Sequence, residues 1–174
     1  MILDLCGGSG AWSKPYRDAG LDVRLIDTRE GWDVRLDLEY EESLEVGVEG
    51  ILAAPPCTVF AHSGARWPRS RGELLEGLSM VDACLRMVVL YQPHFWALEN
   101  PVGKLRRWLG PPRLMFDPCD YGDPYTKRTL VWGDFHPPKK SPVEPIRSVD
   151  PKRSTDARSV TPEGFARAFF EANH

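Results

Sequence analysis

Short apolar runs separated by longer mixed stretches set the pattern of this chain. "MILDL" (1–5) is apolar but for one acid and runs straight into "GGSG", which predicts a strand ending in a tight turn. Trp12 to Ala19 reads as a helix closed by Gly20, and "DVRLID" (22–27) as the second strand. "DVRLDL" (33–38), alternating with charges, predicts a third strand, and "GILAA" (50–54) a fourth, short and apolar as a central strand is. From Glu73 to Gln92, Leu74, Leu78, Val81, Leu85 and Val88 recur at spacings of four and three, so one face of a helix is buried until Pro93 stops it. "FWALEN" (95–100), "RLMFD" (113–117) and "RTLVWG" (128–133) complete the strands. Proline and charge fill 134–157, an irregular segment. Thr161 then caps a closing helix with Pro162 in its first turn and Phe165 and Phe169 one turn apart on its inner face.

Strands alternating with helices predict an α/β fold with a mostly parallel sheet. A chain of 174 residues, 42% hydrophobic and 27% charged, suits a single domain (1–174) with a core of its own. The net charge of −3 does not advertise nucleic acid, although binding needs only a local basic face. Cysteines at 6, 57, 84 and 119 lack the close pairing of a zinc site, so no metal is expected. With no export signal and no long apolar segment, the expectation is a cytoplasmic protein with reduced thiols, no membrane association and a monomeric state.

The first chemical signal is Asp4-Leu5-Cys6-Gly7-Gly8-Ser9-Gly10 between a strand and a helix. Glycines there allow a tight turn and close approach of a ligand to the backbone, at the edge where such sheets bind nucleotides. Asp27 ends the second strand, where a carboxylate accepts hydrogen bonds from ribose hydroxyls. No GK[ST] follows the glycines, which favours a nucleoside cofactor without a phosphate tail. Asp37 is a candidate partner for an adenine amino group.

"ILAAPPCTVF" (51–60) places Cys57 just past the fourth strand, on the same rim, in a loop stiffened by two prolines. Taken by itself, Cys57 suits packing as well as nucleophilic chemistry. Glu99, towards the end of "WALENP", brings a carboxyl group to the same rim after apolar residues, where desolvation raises its pKa and lets it carry a proton near neutral pH. A thiol and a carboxyl beside a nucleoside turn are more informative together than apart.

"DLCGGSG", "PPCTVFAHSG", "ENP" and "DYGDPYTKRT", in this order, resemble the S-adenosylmethionine-dependent cytosine carbon-5 DNA methyltransferases, especially compact phage-type members. The likeness spans 1 to about 133 and returns in "RSVTPEGFARAFFEAN". It implies a Rossmann-like class I methyltransferase fold, a seven-stranded, mostly parallel sheet with helices on both faces. By the same resemblance, Cys57 attacks carbon 6 of cytosine and Glu99 holds and protonates ring nitrogen 3, with Lys127 and Arg128 as further catalytic residues. S-adenosylmethionine would be held by Asp4, Cys6, Gly7, Gly8, Gly10, Trp12, Asp27, Asp37 and Pro55. The partner would be DNA, its base flipped from the stack, gripped by Arg66, Arg69, Arg71 and Lys127 with Trp67 stacking.

Departures accompany the matches. After "DYG" the family has proline, glutamine, any residue, arginine, any residue, arginine; here Pro124 matches, but Tyr125, Lys127 and Thr129 replace the last three, with Arg128 one position away. Cys6 stands where the family has phenylalanine, leaving Trp12 to supply part of the cofactor's stacking surface. The family's target-recognition domain is replaced by 134–157, which contains "KKSPVEPIRSVDPKRS" and predicts short or relaxed sequence specificity. Three readings stay open: transfer to DNA, the same chemistry on RNA or a free cytidine nucleotide, and a noncatalytic S-adenosylmethionine-binding protein.

Overall fold

Strand β1 (Ile2–Leu5) is buried along its whole length and pairs in parallel with β2 (Val23–Ile26) on one edge and β3 (Gly50–Ala53) on the other. The computed structural model that shows this describes residues 1–28, 31, 33–35, 47–62, 68–148 and 159–174. Strand β4 (Phe95–Pro101) pairs in parallel with β3. The sheet then reverses: β7 (Thr129–Asp134) lies antiparallel between β4 and β5 (Leu114–Phe116), giving the order β2-β1-β3-β4-β7-β5.

Among the described residues this sheet has six strands, where seven were expected. The expected strand over 33–38 is not seen in its described part, 33–35, and 36–38 lie outside the described residues. The Arg35 N–H and guanidinium both donate to the Asp33 carboxylate, a local side-chain bond that takes the place of a ladder.

The period-two alternation of the strands builds two cores on opposite faces. Leu3, Leu5, Ile51, Ala53 and Leu98 face helix α2 (Arg71–Tyr91), whose Val81, Cys84 and Met87 complete the first cluster. Helix α2 starts two residues before the periodicity predicts because Ser70 and Glu73 form a reciprocal capping box. It ends at Gln92, held at φ +45° just before Pro93.

Ile2, Leu52, Ala97 and Val131 face the other way, onto α1 (Lys14–Asp18) and the closing helix (Glu163–Ala172). Phe165 and Phe169 are fully buried there: Phe165 stacks on Phe116 at 3.9 Å, and Phe169 meets Trp12 at 5.4 Å and Phe135 at 5.2 Å. The closing helix begins at Glu163, after Pro162, and Thr161 does not cap it. Its free Gly164 N–H instead donates to Asp123 Oδ2 at 2.9 Å, so a residue distant in sequence does the capping. Between the two long helices, α3 (Arg106–Leu109) follows β4; the closing helix is α4.

Of 134–157, Asp134 ends β7 and 135–146 carry no helix or strand, as predicted. A two-residue strand, β8 (Arg147–Ser148), then pairs in parallel with β6 (Tyr125–Thr126). Ser141 N–H to Asp120 O and Val143 N–H to Cys119 O tie the segment to the 3₁₀ turn at Pro118–Tyr121.

Register decides what meets at the sheet's edge. Leu5 pairs with Ala53, Ala53 with Leu98, Pro101 with Thr129 and Thr129 with Phe116. The loops after β1, β3, β4 and β5, and the residues just before β7, therefore leave the sheet on one rim.

Phe165→Ala should destabilise the protein by about 3–5 kcal/mol in urea unfolding, through lost apolar burial and the cavity left between Phe116, Trp12 and Tyr121. Leu75→Ala, at a position 67% exposed on α2, should stay within about 0.5 kcal/mol of the parent.

Candidate active site

The glycine turn is shaped from below. Asp4 is completely buried; its Oδ2 accepts from Ser13 Oγ at 2.5 Å, while Oδ1 has no hydrogen-bond partner among the described residues. A Cβ at position 7 would sit 2.2 Å from Asp4 Oδ1, so only glycine lets the turn close over this carboxyl group. Cys6, Gly8 and Gly10 all have positive φ, +55°, +57° and +66°. For Cys6 that conformation is costly, and it is held by the Cys6 N–H bond to Ile26 O at 2.7 Å. Gly8 N–H donates to Asp27 Oδ2 at 2.9 Å, which fastens the end of β2 to the turn.

The site residues read from this part of the chain divide accordingly. Cys6, Gly7, Gly8, Gly10 and Asp27 come together at the rim, and Asp4 supports them from beneath. The Cys6 thiol turns inward to bond the buried thiol of Cys84 on α2, which pushes the Cys84 pKa well above its usual range. Trp12 does not present a stacking face: its ring is 2% exposed and packed on Phe165 and Phe169. Asp37 lies outside the described residues.

The cysteine loop leaves β3 beside this turn, with the Ala54 N–H bonded to Leu5 O at 2.9 Å. Pro55 is buried, and its carbonyl accepts from Asn100 Nδ2 at 3.0 Å. Cys57, half-buried, begins a tight turn in which its carbonyl accepts from the Phe60 and Ala61 N–H groups. No disulfide joins any of the four cysteines. Beyond the turn, Ala61 bridges Gly103, and the Lys104 N–H bonds Phe60 O at 2.8 Å. A Cβ at 103 would come within 2.1 Å of Phe60 O, so the approach of the two segments requires glycine.

Glu99 and Asn100 are the last inward polar residues of β4, 8% and 1% exposed. Burial raises the Glu99 pKa, and the positive charge of Lys127 partly opposes it. Among the described residues Glu99 Oε2 has no hydrogen-bond partner. Lys127 and Arg128 reach the rim because Asp117, following β5, grips both: Oδ1 accepts from the Lys127 N–H at 2.9 Å and Oδ2 from Arg128 Nε at 2.6 Å. Lys127 is thus the cation that Glu99 senses, while Arg128 is committed to Asp117.

Three contacts were not anticipated from sequence: Ser13 to Asp4, Asn100 to Pro55, and Asp117 to 127–128. Asn100 was visible inside "ENP", but a buried amide reveals its acceptor only when β3 and β4 are paired. Arg69 also changes role. Its guanidinium bonds Thr58 O at 3.1 Å and Glu73 at 3.3 Å, bracing the cysteine loop against α2. Arg71 is exposed at the start of α2, and Arg66 and Trp67 lie outside the described residues. Among the described residues no group of three or more His, Cys, Asp or Glu is placed to hold a metal ion, and no helix is long and apolar enough to cross a membrane.

No protein-family model and no curated protein matches the sequence. Among solved structures, the chain is similar to the crystal structure of a candidate DNA modification methyltransferase encoded within an E. coli prophage. The TM-score is 0.53 at 19% identity, over 82% of this chain and 52% of that one. What the two share is a fold. The chain spans about half the length of that structure.

The pKa of Asp4 is raised by burial from 3.8 to about 6, so the folded state holds this proton more tightly than the unfolded chain does. Its stabilising contribution is complete below the unfolded value and is lost as pH rises through the folded one. Relative to Asp4→Asn, the parent should lose roughly 3 kcal/mol of stability between about pH 4 and about pH 6.5 in urea titrations. A difference that stays flat with pH would refute the buried-carboxyl account.

Proposed function

We propose that the chain transfers a methyl group from S-adenosylmethionine to carbon 5 of cytosine in DNA through a covalent bond to Cys57. The observation that carries this reading is the convergence of Cys57 and the desolvated Glu99 on one rim, joined through the buried bond between Asn100 and Pro55. The likeness of fold to a candidate DNA modification methyltransferase supports it further.

The residues around the glycine turn fit the cofactor. The turn is shaped by Gly7, Gly8 and Gly10, with the Asp27 carboxylate at its edge for ribose hydroxyls and no GK[ST] after it for a phosphate tail. When bound, S-adenosylmethionine supplies the electrophilic methyl group that carbon 5 takes.

Cys57 Sγ adds as thiolate to carbon 6, and Glu99 gives a proton to ring nitrogen 3, so the electron pair of the ring double bond is delivered to carbon 5. After methylation, transfer of the carbon-5 proton to solvent water restores the double bond and expels the Cys57 thiolate, and the nitrogen-3 proton returns to Glu99. Glu99 Oε2, without a partner among the described residues, suits this role, because such a buried oxygen gains a full hydrogen bond when the base enters. Lys127 eases formation of the ionised carboxylate while nitrogen 3 holds the proton, and offers a charge to phosphate. The segment over 134–157 is too short for a separate base reader, so we propose short or relaxed sequence specificity.

Incubation with labelled S-adenosylmethionine and DNA should yield 5-methylcytosine; RNA of the same sequence and free dCMP test the other substrates. Cys57→Ser should abolish transfer and the adduct with DNA containing 5-fluorocytosine; an adduct that persists would mean that another group is the nucleophile. Glu99→Gln should lower kcat about a hundredfold or more. With its pKa raised, Glu99 keeps its proton to higher pH than an ordinary carboxyl, so parental kcat should fall on the alkaline side, a limb that Glu99→Gln should flatten. Oligonucleotides differing only in flanking sequence should be methylated at similar rates.

A further inference from the structure

We propose that the exposed side of α3, with Arg106, Arg107 and Trp108, and Lys104 beside it, is a docking surface for the DNA strand flanking the reacting base. This deepens the reading of the rim as a cytosine methyltransferase site and rests on it for the choice of partner.

The segment is fixed against that rim on both sides. His62 N–H donates to Val102 O at 3.0 Å and Lys104 N–H to Phe60 O at 2.8 Å, which join it to the loop carrying Cys57. Val102 N–H donates to Arg128 O at 3.2 Å, which joins it to the cations before β7. The short helix is anchored by Leu105, 1% exposed, and by Leu109 against the core, so its remaining side chains are left outside.

Those side chains have one character. From Pro101 to Phe116 the sequence holds Lys104, Arg106, Arg107 and Arg113 and no acid, in a chain whose net charge is −3. Arg113 pairs with Asp134, but Lys104, Arg106 and Arg107 form no ion pair among the described residues. Arg69 and Arg128, by contrast, are engaged by Glu73 and Asp117. A surface with three uncommitted cations matches a phosphate backbone.

Trp108 adds the second element. It is 47% exposed, a large aromatic left half in water, and its ring is held edge-on by the buried Phe60 ring at 5.9 Å and 62°. Phe60 is three residues from Cys57, so an oriented aromatic face lies one contact away from the proposed nucleophile's loop. Stacking a base on such a face tolerates any sequence, in keeping with relaxed specificity.

The test is anisotropy of a labelled, cytosine-containing DNA across a salt series, with RNA of the same sequence alongside and S-adenosylmethionine affinity measured for every variant. Arg106→Gln combined with Arg107→Gln should weaken DNA binding about tenfold and reduce the slope of log affinity against log salt by roughly 0.7–0.9 per lost phosphate contact. Trp108→Ala should weaken binding about tenfold with the slope unchanged, and Trp108→Phe should restore most of it. Cofactor affinity should not change. Since Trp108→Ala also removes packing on Phe60, the exposed arginine pair and Trp108→Phe carry the test if that variant does not fold.

Unchanged affinity and slope in the double arginine variant would overturn the proposal, as would weakening confined to RNA. The two levels separate cleanly. DNA binding that depends on α3 without formation of 5-methylcytosine keeps this surface and removes the cytosine reading; methylation with α3 variants binding normally does the reverse.

Discussion

Strand β4 is paired on both edges, in parallel with β3 and antiparallel with β7, and the candidate site depends on that double pairing. The β3 edge brings in the loop with Pro55 and Cys57; the β7 edge brings in Lys127 and Arg128. Because β7 runs against its neighbours, its first residue lies beside Pro101 at the end of β4, so residues that precede a strand meet residues that follow one. Had β7 run parallel, 127–128 would lie at the opposite edge of the sheet. Glu99 and Asn100 occupy the central strand at this junction. Asn100 converts the pairing into a fixed loop through one buried hydrogen bond, and a buried bond of this kind is costly to break because its partner carbonyl loses its donor.

Burial gives the carboxyl groups of this rim different characters. Asp4 and Glu99 are both desolvated and both have raised pKa values. Asp4 is spanned by Ser13 and roofed by Gly7, so its role is to support the turn. Glu99 has an oxygen without a hydrogen-bond partner among the described residues and faces the field of Lys127, an arrangement that suits the proton exchange proposed for it. Asp117, 8% exposed like Glu99, is instead paired with Arg128 and serves as a clamp. Environment, more than residue type, assigns these three roles.

The same reasoning sorts the cations. Arg69, which the sequence offers as a phosphate contact, is used within the protein as a brace between Thr58 and Glu73. Lys104, Arg106 and Arg107, after β4, form no ion pair among the described residues, and both arginines are exposed, which is what the proposed docking surface uses. A helix of only four residues can present them because Leu105 and Leu109 anchor it and a close approach at Gly103 ties it to the cysteine loop.

The hydrophobic pattern by itself determined most elements of this protein: the apolar runs of β1, β3 and β4, the spacing of α2 and the inner face of α4 are local properties of period two or near 3.6. It also placed Cys57, Glu99 and the glycine turn at strand ends, since a strand's end is marked where the apolar run stops. It did not determine that 33–35, the described part of the strand expected over 33–38, form no strand, with Asp33 bonded to Arg35 instead, or the cap of α4, which comes from Asp123 forty-one residues away. Nor did it decide the fate of Trp12, whose ring is core, because amphipathic aromatics look alike in sequence whether they face a ligand or a neighbour. Partner choice among polar groups, Asn100 with Pro55 and Asp117 with Arg128, was settled only by tertiary structure. Hydrogen bonds and desolvation act over a few ångströms between segments far apart in the chain, and only strand order and register bring those segments together.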